Sequence, residues 1–506
     1  MRQNTSNGGT LAELLARAAS SENYNAWLAQ VRQARYCTHP VRLTGQTRAA
    51  DPTTGELSTV FSSAGQPDGV LLKVCGQRRS TVCPSCAAVY RFDAWQLIAA
   101  GLQGGKGVSA SVATHPMVFV TLTAPSFGPV HACRVEDGRN LACRPRRQSE
   151  ACEHGVSLAC WDQHDGDDEL LGQPLCAACF DYNGAVLWNS LASELWRRTT
   201  IYLRRALAQG AGLTVANLDR QIRLSYARVV EYQRRGLVHV HAVIRLDPKQ
   251  CSDPAGNNAD PAISTEALVA ATLRAAAIVS VPYPEGHRDP VAHARWGEQI
   301  DVRPIKIDGD DAAAARAVAA YISKYATKST DAFGHLDHRL RADDLTSLAV
   351  NPHLRRLVES AWTLGARQEL AHLRLRYWAH TLGFRGHWLT KSRHYSTTLG
   401  ALRSAREEWA AERRRQRTQG YPGARRGDSA EPVPVTDLEE EPVLVKDWRY
   451  VARGYTTWGD ALLVETARLE AEAIRRIARE EAGVQREGVG VQSPCDMREP
   501  SGREPK

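Results

Sequence analysis

Hydrophobic and polar positions along the chain mark out a series of elements. Met117-Val-Phe-Val-Thr-Leu-Thr123 is β-branched and aromatic and is stopped by Pro125 and Gly128, which predicts a buried strand. Residues 222–232 and 237–246 predict two more strands, joined by Gln233-Arg-Arg-Gly236 as a hairpin turn, and 300–307 a fourth. Apolar residues recur at helical spacing over 188–208 (Leu191, Leu195, Trp196, Tyr202, Leu203), 267–279 and 311–327. Helices are also expected at 22–35, through 354–382, at 400–417 and, amphipathically, near 460–479. Together these predict an α+β fold in which one antiparallel sheet is covered by helices.

Shifts in composition suggest boundaries. Residues 1–107 hold a first cysteine group and end in the Gly-rich break Gly101-Leu-Gln-Gly-Gly-Lys-Gly107. Residues 108–330 hold the sheet, with a cysteine-rich insertion at about 129–180. Residues 331–417 are helical and basic, and 418–506 read as a linker, one amphipathic helix and a disordered tail. The formal net charge is +8, and 367–417 alone carries 12 Lys/Arg against 4 Asp/Glu, a surplus as large as that of the whole chain. Such a segment would bind nucleic acid in a salt-dependent way. Arg385, Lys391, Arg393, Arg413, Arg414 and Arg415 are the candidate contacts to duplex or hairpin DNA. No apolar run reaches membrane-spanning or signal-peptide length, so no membrane partner and a cytoplasmic location are expected. The 12 cysteines are then expected as thiols or metal ligands rather than disulfides.

On a strand, residues two apart share a face, so His239 and His241 project together about 7 Å apart. By itself, in a chain with 16 His, such a pair would read as two surface histidines. A turn centred on Arg234 and Arg235 places Glu231 opposite His239 as a third ligand, with Gln233 a weaker one. Two imidazoles and one oxygen leave positions open for a phosphate oxygen and water. On the helix at 311–327 and just beyond, Tyr321, Lys324, Tyr325 and Lys328 share one face. Two lysines make that face an unlikely dry core and suit it to phosphate chemistry. Among the cysteines, Cys75, Cys83 and Cys86 include the knuckle Cys83-Pro-Ser-Cys86, with Cys37 as fourth zinc ligand and His39 behind it. The insertion offers Cys143, Cys152, His154, Cys160, His164, Cys176 and Cys179, enough for one site with spares or for two. One zinc on Cys176 and Cys179, completed by Cys152 and Cys160, is the expectation.

The strand Phe119-Val-Thr-Leu-Thr-Ala-Pro125, then His-hydrophobic-His, then Tyr321-Ile-Ser-Lys-Tyr325 resembles the motif order of HUH-type rolling-circle initiators. The tyrosine pair is similar to the gene A protein of small single-stranded DNA phages. Val74-Cys-Gly-Gln-Arg-Arg-Ser-Thr-Val-Cys-Pro-Ser-Cys86, Glu194-Leu-Trp-Arg-Arg-Thr199 and Lys391-Ser-Arg-His-Tyr-Ser-Thr-Thr-Leu-Gly400 resemble the RepSA-type initiators of actinobacterial conjugative and integrative plasmids. The resemblance implies an HUH sheet with zinc modules, and Mg²⁺ or Mn²⁺ on His239 and His241. It further implies nicking of single-stranded DNA at a plasmid origin through a 5′-phosphotyrosine, the free 3′-OH priming synthesis by a host polymerase beside a host helicase. Single-tyrosine relatives carry their nucleophile at the position matching Tyr325, which makes Tyr321 the alternate or second one. A two-tyrosine transposase shares this chemistry, and a non-catalytic zinc-dependent DNA-binding regulator would account for the cysteines alone. Relaxases place their tyrosine before the histidines, against the order here.

Overall fold

The computed structural model describes residues 7–19, 21–51, 54–147, 151–249, 263–284, 293–307, 312–331, 336, 338–419 and 443–481. These fall into two compact units, one drawn from Met1–Phe92 and Leu399–Glu487, the other from Asp93–Thr398.

The second unit is built on five strands, β1 (Met117–Leu122), β2 (Ile222–Tyr232), β3 (Val238–Pro248), β4 (Ile300–Pro304) and β5 (Leu389–Lys391). They form one antiparallel sheet in the order β4-β1-β3-β2-β5. The period-two alternation sorts the side chains by face. Val118, Val120, Leu122, Val230, Val238, Val240, Ala242 and Ile244 enter the main core. That face is covered by helices α1 (Tyr182–Gly210) and α2 (Thr265–Ile278), capped by Asp181 and Ser264, whose side chains accept from Gly184 N at 2.8 Å and Ala267 N at 3.1 Å. On the opposite face, where the odd-numbered residues point, α3 (Ala312–Asp331) packs against β2. The polar side chains of interest lie beneath it.

The helix expected through 354–382 is shorter. Helix α4 (Pro352–Leu364) stops at Gly365, and the chain continues in the 3₁₀ turns Gln368–Leu373 and Ala379–Thr381, with Arg374 and Leu382 left-handed. A Cβ on Gly365 would lie 2.7 Å from Arg376 N, so the chain folds back too tightly there for a longer helix.

In the first unit, the strand Val41–Ala50 pairs antiparallel with Val443–Arg453, Leu57–Ser62 and Leu71–Lys73. Trp27, Val31, Leu72 and Val464 form its core, and Arg17 bridges Asp460 (2.7 Å) and Asp68 (2.8 Å). Here the boundaries expected from composition change. Residues 443–481 are not an appendage but complete the sheet and core of the N-terminal unit. The basic stretch 331–417 is divided, with helix Leu399–Gln419 assigned to the first unit. The strand at 443 was hidden because its partner is some four hundred residues away and its side chains are mostly exposed. The linker at 420–442 and the tail from 482 lie outside the described residues. No helix among the described residues is long and apolar enough to cross a membrane.

Candidate metal centre and its surroundings

The β2–β3 register sets Glu231 opposite His239, and β1 sets Thr121 opposite His241. Glu231, His239 and His241 are buried, and one ligand atom of each lies within 4.8 Å of the others. His241 Nε2 is 3.2 Å from Glu231 Oε1. Each imidazole is held from behind, since Thr121 Oγ1 lies 3.3 Å from His241 Nδ1 and Thr123 Oγ1 lies 3.2 Å from His239 Nδ1. With Nδ1 engaged, Nε2 is the atom presented inward. His239 Nε2 is buried and has no hydrogen-bond partner among the described residues, a costly arrangement unless something binds there. Burial pushes both imidazoles down to about 3, so both are neutral, the form that ligates metals. Two imidazole nitrogens and a carboxylate fit a divalent cation with open coordination positions. Gln233 is turned away, its Oε1 accepting from Arg235 Nε at 2.9 Å.

Helix α3 brings Tyr321 to this group. Its ring meets His241 edge-on at 5.8 Å and Phe119 at 5.7 Å, while Phe119 stacks on His241. Tyr321 remains 41% exposed and Lys324 is exposed. The side chains of Tyr325 and Lys328 lie outside the described residues.

Further along the same face of β3, Arg245 and Asp247 form a second polar group. Arg245 Nε donates to Asp247 Oδ1 at 2.5 Å, Ser225 Oγ donates to Oδ2 at 2.5 Å, and His115 Nδ1 lies 2.8 Å from Oδ1. They adjoin a cleft of about 400 Å³ whose lining includes Lys106, Arg223, Arg393 and His394 with several hydroxyls. Neither Arg223 nor the cleft was evident from the sequence, because its residues come from distant segments. Of the expected DNA contacts, Arg393 lines this cleft. Arg385 donates to His372 O (2.9 Å), and Lys391 Nζ to the carbonyls of Ser392 and Arg393. Arg413 belongs to the other unit, over the ring of Trp409. The side chains of Arg414 and Arg415 lie outside the described residues.

Cys37, Cys75, Cys83 and Cys86 come together as one group that could hold a metal such as zinc. Sulfur contacts of 3.6–3.8 Å link them, and those from Cys37 first, then Cys75 and Cys86, hold the Cys83 thiol well below its ordinary range. His39 stays exposed outside this set. In the insertion the grouping differs from expectation. Cys160 does not join Cys152, Cys176 and Cys179. Its backbone pairs with Arg144 (2.8 and 3.1 Å), which draws it to Cys143 in a group with His131 and His164. His154 completes the other group with Cys152, Cys176 and Cys179. His131 carried no knuckle signal and was missed.

Among the described residues, the fold is α+β and brings together one buried nitrogen/oxygen group and three cysteine-bearing groups that could hold a metal. Residues 23–469 match the RepSA family, described as replication initiator protein, pSAM2. A replication initiator protein of Streptomyces ambofaciens is 41% identical over 490 residues, covering 95% of this chain and 98% of that protein. The chain therefore belongs to the RepSA family of replication initiators. No solved structure matches it.

Proposed function

We propose that this chain starts rolling-circle replication of a plasmid by nicking one DNA strand at the origin, through a tyrosine nucleophile and with the HUH arrangement. The observation that carries this reading is the convergence of His239, His241 and Glu231 beneath Tyr321, with His239 Nε2 buried and lacking a partner among the described residues. Bound there, Mg²⁺ or Mn²⁺ would supply Lewis acidity to a phosphate oxygen. The chain's own residues do the rest. Thr121 and Thr123 fix the imidazoles, and Phe119 holds the His241 ring by stacking. A tyrosine phenol gives up its proton and its oxygen bonds to phosphorus. The bond from phosphorus to the 3′-oxygen breaks, and that oxygen takes up a proton to become the 3′-OH from which a polymerase extends. The 5′-phosphate stays on the tyrosine. Lys324, exposed on the same helix, is suited to offset the developing charge, as is Lys328 by sequence. By the resemblance Tyr325 is the preferred nucleophile, with Tyr321 the alternate or second one.

The family match favours replication over transposition. The test is a labelled single-stranded origin oligonucleotide incubated with Mn²⁺, with or without EDTA. A denaturation-stable protein–DNA adduct is expected with Mn²⁺ and none with EDTA or in His241→Ala. Binding without adduct in the presence of Mn²⁺ would instead point to a DNA-binding regulator.

A further inference from the structure

Four ligand pairs follow one another through the insertion: His131 with Cys143, Cys152 with His154, Cys160 with His164, and Cys176 with Cys179. The structure gathers the first and third pairs into one group and the second and fourth into another, with ligand atoms in each within 4.8 Å. We propose that the insertion is a cross-braced module binding two zinc ions, and that it holds the turn of the β2–β3 hairpin that carries the catalytic centre. The second half of this proposal rests on the function proposed above; the first does not.

Interleaving means that neither ion closes a loop of its own. Each ties down segments on both sides of the other's ligands, so the two sites support one another. Apart from the disulfide that Cys133 makes, against the expectation of thiols or metal ligands throughout, the insertion has little else to fold around. Val130, Leu171 and Phe180 are buried, but Val156, Trp161 and Leu170 are exposed, and among its described residues the paired strands are Arg134–Glu136 and Arg139–Leu141, with a few isolated bridges besides. A segment this poor in core needs a staple. The first group is also built as metal sites are. His164 Nδ1 lies 2.6 Å from Asp168 Oδ2, which turns Nε2 toward Cys160 Sγ (3.5 Å) and His131 Nδ1 (3.0 Å). A carboxylate behind a histidine fixes its tautomer and orientation for a metal.

The same loop reaches the catalytic hairpin. Arg234, in the turn between Glu231 and His239, donates through Nη1 to Asp168 O at 3.0 Å and through Nη2 to Gly166 O. Gly172 has φ +81°, and a Cβ there would lie 2.4 Å from Arg234 C, so glycine is what allows this approach. On the other side, Arg235 donates to Pro125 O (2.9 Å) and Ala124 O (2.8 Å), just beyond β1. The turn is thus gripped between the ligand loop and the end of β1.

Zinc is counted by elemental analysis on the full-length chain carrying His241→Ala, so that the catalytic centre contributes none. About three ions per chain are expected, one for each cysteine-bearing group. Cys160→Ser with His164→Ala removes one or both of the insertion's ions, and adding Cys176→Ser leaves about one. Two or fewer ions in the parent chain, or no loss on replacing Cys160 and His164, would overturn the cross-brace. The coupling is read in a chain that keeps every ligand and so does not depend on the ligand variants folding. Arg234→Ala should keep its zinc but bind Mn²⁺ about tenfold more weakly in a spectroscopic titration. Unchanged Mn²⁺ affinity would overturn the coupling. Failure of the unaltered chain to bind Mn²⁺ would refute the catalytic reading and leave the zinc count standing.

Discussion

At the scale of single residues, the proposed metal centre involves two hydroxyls besides its three candidate ligands. Thr121 and Thr123 engage the outer nitrogens of His241 and His239 and so decide which nitrogen faces inward. Thr123→Val keeps the shape of the side chain and removes only that contact. It should cost about 10–100-fold in Mn²⁺ affinity, measured by titration, with the thermal transition little changed. Equal affinity would show that the imidazole is oriented by packing alone. The convergence of His239, His241 and Glu231 was legible, because a period of two puts the histidines on one face and counting back across the turn reaches Glu231. Which cysteine joins which site was not legible. Cys160 was expected beside Cys176, but the backbone pairing of Arg144 with Cys160 decides otherwise, and such pairing leaves no local pattern.

At the scale of elements, the four expected strands were readable as β-branched and aromatic runs, two of them joined by a Gly-ended turn and one stopped by Pro125 and Gly128. β5, at three residues, is too short to show a period. On β3 the polar face continues past the histidines to Arg245 and Asp247. Burial pushes the Asp247 carboxyl up, yet hydrogen bonds from Arg245 and Ser225 leave it below its usual value. Its contribution to stability is therefore complete above the unfolded value, about pH 4, and is lost as pH falls below that. Asp247→Asn strands the buried Arg245 guanidinium and should cost about 3 kcal/mol near neutral pH by denaturant unfolding. The gap from wild type should close toward pH 3, whereas a gap constant with pH would contradict the pairing. The cleft beyond lies about 20 Å along β3 from the centre. If a strand of DNA runs between them, replacing Arg223 and Arg393 with Ala should reduce the slope of log affinity against log salt by roughly 1.4. An unchanged slope would place the DNA elsewhere.

At the scale of the molecule, residues 443–481 build one unit with the N-terminal segments, so that unit is incomplete without them. Tyr455 OH donates to Cys37 O at 2.9 Å, and Val464 sits in the core beside Cys37 and Cys83. A chain ending at 419 should become protease-sensitive across 21–92 while 93–398 stays resistant; equal resistance in both would contradict the shared core. The catalytic claim is tested most directly by locating the DNA on the protein. After reaction with the origin oligonucleotide and Mn²⁺, digestion and mass spectrometry should find the nucleotide on Tyr325 or Tyr321, in a peptide from Ala312–Asp331. Full adduct in the Tyr321→Phe/Tyr325→Phe double variant, or a nucleotide carried anywhere else on the chain, would contradict it.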